Sequence, residues 1–233
     1  MTFIPASQRQ VHPNIPENKS KEITSLVVDA STNLVQVGIP EKSRWLSLAK
    51  VEEQALEGLF LATENILRDS KKDISKINSV YYCEGPGSTL GLRLAAAFVK
   101  TLKWCHAHAS FEVFAYNALD LASLLVPKEN SIIQAPFRVG FRFVRLPHHN
   151  AVEAEKKIVT QEVAFSKYPD SFHLPDIRKR SIPVSPEKTL SYDLSEIKGL
   201  SDLNLVSKPC AEITPYNPRA PQFKKWTPRI LNK

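Results

Sequence analysis

Glycine is scarce in this sequence, with only 7 among 233 residues. Cysteine is scarcer still, and Cys83, Cys105 and Cys210 are widely separated, with no CxxC pair. An odd, scattered set of three argues against a disulfide framework or a structural zinc site, and fits buried, reduced thiols in cytosol. No run of about 18 apolar residues occurs, so no membrane-spanning helix is expected. The first 22 residues are polar, contain Pro5, Pro13 and Pro16, and lack the apolar stretch of a secretory signal. They read as a flexible extension, and the chain as a soluble cytoplasmic protein. The sequence is otherwise ordinarily globular, at 42% hydrophobic and 24% charged residues. Its length suits one large domain or two small lobes. The net charge of +7 is compatible with a polyanionic partner such as RNA, but charge alone does not select one.

Periodicity organises the first half. Residues 23–28 end in an apolar run, a polar group Asp29–Asn33 follows, and Val35, Val37 and Ile39 then alternate with Gln36 and Gly38. Two strands around a polar turn predict a β-hairpin. From about Trp45 to Arg68, Leu48, Val51, Ala55, Leu59, Ala62 and Ile66 step by three and four, predicting a long amphipathic helix. Leu56, Phe60 and Leu67 form a second stripe beside the first. The apolar face is therefore wider than packing on one sheet requires, and a second neighbour is expected. Val80–Cys83 reads as a strand. Residues 89–106 read as a helix with Leu94, Phe98, Leu102 and Cys105 inside and slim flanks at Ala95, Ala96 and Ala97. A third helix, about 117–125, closes a first lobe.

The second half is less periodic. Residues 131–133, 139–144 and 163–165 look like strands, 169–186 is proline-rich and irregular, and 203–206 is weakly strand-like. The resulting division is an extension over 1–22, a first lobe over 23–125, and a second, diverged lobe over 126–233 with a basic tail. No internal repeat is visible in the sequence.

Against the general scarcity of glycine, Gly85, Gly87 and Gly91 fall within seven residues, at a strand-to-helix junction. Backbone N–H groups and the helix dipole at such a junction can hold an anion. The sequence is neither a Walker A loop, which needs G-K-[ST], nor a dinucleotide fingerprint. The plainer alternative is a tight turn in which Gly91 lets the helix pack closely and Ser88 caps it.

This turn, Gly85-Pro86-Gly87-Ser88-Thr89-Leu90-Gly91-Leu92-Arg93, resembles the G-P-G-S-F-T-G-L-R signature of the TsaB (YeaZ) proteins. The opening strand, Asp29-Ala30-Ser31-Thr32 and second strand are similar to that family's strand-D-T-S-strand start. The long helix and the segment Asp73–Tyr82 fall in the family's order, and Pro215–Arg219 followed by Trp226 is similar to its tail. The departures are Thr89-Leu90 for Phe-Thr, Val51–Gln54 where a His-Ser pair is usual, and Ala135–Phe143 as the nearest match to a second-lobe D-A-R-x-G-E-V-Y motif. The resemblance implies an α/β fold of the actin/Hsp70-like (ASKHA, ribonuclease H-like) class, with two lobes and a degenerate second lobe. It also implies a non-catalytic accessory subunit that binds a TsaD-type catalytic subunit, acts with a TsaE-type ATPase, and supports threonylcarbamoylation of tRNA adenosine 37 (t6A37). The expected partner interface is Leu48, Ala55, Leu56, Leu59, Phe60, Leu94, Phe98 and Leu102, serving a homodimer when the partner is absent.

The residues themselves offer little catalytic chemistry. Asp29 could orient a Mg²⁺-bound phosphate, but aspartates at this place more often cap turns. An ASKHA-type phosphotransferase using Asp29 and the glycine turn stands as the alternative. No resident cofactor is expected, although a nucleotide at the partner interface stays open. His106 and His108 are two apart and His148 and His149 adjacent, so neither pair shares a helical face, and no metal site is expected. Between Glu129 and Glu153 there is no acid, while Arg138, Arg142 and Arg145 stand with His148 and His149. Together with Lys224, Lys225 and Arg229 of the tail they are candidate contacts to a tRNA backbone, weighed against a merely solvated basic face.

Overall fold

The computed structural model describes residues 23–106, 110–127, 130–176 and 183–216. The expected extension over 1–22 and the basic tail beyond 216 lie outside the described residues, as does His108.

Three antiparallel strands open the fold: β1 (Thr24–Asp29), β2 (Val35–Pro40) and β3 (Trp45–Val51). Helix α1 (Ala55–Ser70) returns the chain to β4 (Ile77–Gly85), which runs parallel to β1. Helix α2 (Thr89–Cys105) leads to β5 (Glu112–Asn117), parallel to β4, and to the short helix α3 (Ala118–Ala122). β1 and β2 are buried along their whole lengths, as expected of strands covered on both faces. One face packs on α1 and α2 through Leu26, Val28, Val37, Leu59, Ile66, Val99 and Leu102. The other face carries Val27, Tyr81, Cys83 and Tyr116 toward α3 and the second lobe.

The second lobe repeats the opening of the first. Strands β6 (Ile133–Arg138), β7 (Phe141–Arg145) and β8 (Lys156–Thr160) are antiparallel neighbours. Helix α4 (Gln161–Lys167) follows, and β9 (Phe172–His173) pairs parallel with β6. The sheet order β8-β7-β6-β9 therefore matches β3-β2-β1-β4 in sequence and direction. This two-lobed α/β architecture with a reduced second lobe is the one expected. The internal duplication is one of topology, with no trace visible in the sequence.

The last described segment does not stay in the second lobe. Helix α5 (Gly199–Val206) and β10 (Ser207–Pro209) return to the first, where β10 pairs antiparallel with β5 as the sixth strand of its sheet.

Several expectations need correction. The helix predicted from Trp45 begins at Ala55, and Trp45–Val51 is an edge strand. That strand carries apolar residues on both faces, since Trp45 and Leu48 pack toward one core cluster and Ala49 and Val51 toward the other. Its period of two is thereby masked and runs into the helical stripe that follows. Residues 163–165 belong to α4, whose Thr160 caps it by accepting from the Val163 N–H. Residues 203–206 belong to α5, with Leu203 and Val206 turned into the core.

Candidate functional site

The glycine turn closes onto the end of β1. The Ser88 N–H donates to the Ser31 carbonyl at 2.7 Å, and the Gly91 N–H donates to the Ser88 hydroxyl at 3.3 Å. A Cβ at Gly87 would meet the backbone of Ser31, and one at Gly91 would meet the carbonyl of Ala30. Both glycines are thus required for close backbone approach. Gly85 adopts φ +115°, which side chains rarely tolerate. Pro86 is buried, and Arg93 lies exposed a turn into α2. The cluster forms the tight, capped turn, with two of its N–H groups spent inside the protein.

Asp29 lies at the centre of this junction and is fully buried. Its carboxylate accepts from the Ser31 N–H at 2.8 Å and from the hydroxyls of Tyr116 and Tyr192, each at 2.8 Å. Three donors hold it in place and leave it no opening to solvent. The Cys83 thiol beside it is pushed well up by burial and by the Asp29 charge, so it stays protonated. The cleft between the lobes, lined by Ser31, Thr32, Pro86, Ser88, Phe137 and Asp176 among others, has a cavity volume of about 90 Å³. That is small beside ligand sites, which usually span about 300–1,000 Å³.

The candidate RNA contacts separate. Arg138 is exposed and lies over the Phe141 ring at 4.1 Å. Arg142 is only 1% exposed: its Nε donates to the Gln134 amide oxygen at 2.9 Å and its Nη2 lies 3.0 Å from His173 Nδ1. Burial lowers the Arg142 guanidinium to about 10, still cationic at neutral pH. Burial, then the Arg142 charge, lower His173 to about 4, so its neutral Nδ1 accepts from Arg142. Arg145 is also buried. It pairs with Asp120 of α3 at 2.9 Å, and Lys156 of β8 completes the group at 2.8 Å. Arg142 and Arg145 are therefore corrected from RNA contacts to internal groups. One holds the second lobe together, and the other latches it to the first. Lys224, Lys225 and Arg229 lie outside the described residues.

The candidate interface also separates. Leu59 and Leu102 face the sheet as part of the first core, and Leu48 sits on β3, so these three are corrected as contacts on a helical surface. Ala55, Leu94 and Phe98 are half-buried, and Phe98 meets Phe60 edge-to-face at 6.0 Å. Leu56 and Phe60 on α1 are 52% and 60% exposed. On α2, Leu90 is 65% and Trp104 81% exposed; neither stood among the expected contacts. Their spacing of fourteen residues, four helical turns, puts them on one outer face and could have revealed them. Exposed large apolar groups on two adjacent helices make this face a candidate protein interface.

No described helix is long and apolar enough to cross a membrane. Residues 50–133, about a third of the chain, match the family model described as TsaD, tRNA N6-adenosine threonylcarbamoyltransferase. No curated protein matches the sequence. Among solved structures, YeaZ from Pseudomonas aeruginosa aligns over 78% of this chain and 89% of its own, with 17% identity and a TM-score of 0.55. An uncharacterised protein with similarity to peptidase YeaZ from Pseudomonas aeruginosa aligns over 78% and 88%, with 17% identity and a TM-score of 0.54. The architecture is TsaB-like, in agreement with the resemblance carried by the glycine turn.

Proposed function

We propose that this TsaB-like chain is a non-catalytic accessory subunit. It pairs with a TsaD-type catalytic subunit through the outer faces of α1 and α2, and supports t6A37 formation in tRNA together with a TsaE-type ATPase. The observation that carries this reading is the exposed apolar surface of Leu56, Phe60, Leu90 and Trp104 on the two helices that flank one face of the first sheet. In this reading Phe98 and Leu94 support the surface from beneath, and the glycine turn fixes α2 against β1 and so sets where that surface lies. A homodimer through the same face is the state expected when the catalytic partner is absent. The subunit works by holding its partner in an active conformation, and it needs no nucleotide of its own.

The alternative of a phosphotransferase has less support. Asp29 is committed to three internal donors, and the cleft beside it is small for a nucleotide. An RNA-binding scaffold loses two of its three second-lobe arginines to the interior.

The test is to mix the full chain with the TsaD-type subunit of its own organism and measure mass by light scattering after size exclusion. A one-to-one complex is expected. Leu56→Glu with Phe60→Glu should weaken it by about a hundredfold or more, since two anchors of an interface core are lost. The melting temperature of the isolated variant should stay near that of the parent, because both side chains are exposed. Pairing retained by the double variant would exclude this face, and no pairing by the parent chain would overturn the proposal.

A further inference from the structure

The loop between β7 and β8 brings three metal-ligating side chains together away from the proposed interface. His148, His149 and Glu153 each offer a ligand atom, and these atoms lie within 4.8 Å of one another. The helical spacing rule does not govern here, because the histidines sit in a non-helical loop before a short 3-10 turn at Ala151–Glu153. The imidazole rings lie side by side, with centroids 4.2 Å apart. The 3-10 turn swings Glu153 back toward them and is fixed by the Asn150 side chain, which accepts from the Val152 N–H at 3.2 Å. The carbonyl of Asn150 lies 2.8 Å from Nδ1 of His148. The Asn150 N–H lies 3.2 Å from the same Nδ1, so these two contacts compete to set the tautomer; in the form that donates to the carbonyl, Nε2 carries the lone pair and can ligate. A backbone carbonyl orienting a ligating imidazole is a usual supporting contact of protein metal sites.

We infer that His148, His149 and Glu153 form a surface site for a borderline divalent transition metal, with Zn²⁺ as its representative. Two imidazoles and a carboxylate suit zinc, cobalt or nickel better than the hard cations, which favour all-oxygen shells. Three protein ligands leave a fourth position for water or for a donor from another molecule. The metal would tie the two histidines to the 3-10 turn of the same loop, on which α5 packs, and so stabilise the segment that returns to the first lobe.

The test uses the full chain without an affinity tag. Co²⁺ is titrated while its visible absorption is followed, and Zn²⁺ is then used to displace it. One equivalent should bind saturably. His149→Ala and Glu153→Gln should each weaken binding about tenfold or more, while His106→Ala, remote in sequence and fold, should leave it unchanged. Zn²⁺ should raise the melting temperature of the parent but not of the His148→Ala/His149→Ala variant. His149 and Glu153 are exposed, so the metal-free His149→Ala and Glu153→Gln variants should melt as the parent does. No saturable binding, or binding retained by the double variant, would overturn the assignment.

Discussion

The two lobes share one topology and fill it differently. In the first, β1, β2 and β4 meet α1 and α2 through an almost wholly apolar core. In the second, the equivalent space between β6, β7, β9 and α4 holds Gln134, Arg142, Ser171 and His173 in one connected hydrogen-bonded group. A further charged group, Asp120 with Arg145 and Lys156, sits where the lobes meet. The difference shows that the same chain path can be stabilised by non-directional burial or by a connected polar network, here with Arg142 Nη1 left without a hydrogen-bond partner among the described residues. The network is the more demanding, since each unpaired member costs its full desolvation.

The sharpest way to break this comparison is at the junction. Arg145→Met leaves Asp120 buried with Lys156 alone, and should destabilise the protein by about 3–5 kcal/mol in urea denaturation. Arg138→Met, one strand away and exposed, should cost less than about 0.5 kcal/mol. Equal effects would mean that Arg145 is solvated like its neighbour.

Acid should separate the lobes next. His173 is lowered to about 4 in the fold, below its ordinary value of 6.5, so the unfolded chain binds its proton first as pH falls. The stability that comes from keeping it neutral is fully present above about pH 6.5 and is lost as pH drops through about 4, at a cost of about 3 kcal/mol. The slope of stability between pH 6.5 and 4 should flatten in His173→Gln, whose amide oxygen can still accept from Arg142. An unchanged slope would show that His173 does not carry it.

Glycines sharpen the comparison further. Gly91→Ala drives a methyl into the Ala30 carbonyl and should cost about 2 kcal/mol, by shifting α2. Gly140→Ala, in the β6–β7 turn at φ +76° with open space around it, should cost only the left-handed strain of about 1 kcal/mol. A reversed order in thermal melts would contradict the close-packed reading of the glycine turn.

How far the sequence revealed this molecule follows the same division. The hairpin β1–β2, helix α2 and the glycine junction were legible because apolar periodicity and glycine placement act locally. The second lobe was not, because a buried arginine interrupts the apolar alternation of a strand. Arg142 and Arg145 read as surface cations until their partners Gln134, His173 and Asp120 are seen beside them, 8, 31 and 25 residues away. Helix α1 was found but given a strand at its start, since β3 is apolar on both faces. Of the interface, Leu56 and Phe60 were legible as the excess stripe of an over-wide helix. Leu59 and Leu102 were misplaced because periodicity reports that a face is buried, not which neighbour buries it.

The most direct measurement of the central claim is the t6A content of tRNA, by mass spectrometry of nucleosides, in cells depleted of this chain. The depleted cells would be supplied with either the parent sequence or the Leu56→Glu/Phe60→Glu variant. Restoration by the parent but not by the equally abundant variant is the predicted result. Full t6A without the chain, or equal restoration by the variant, would contradict an accessory role exerted through this helical face.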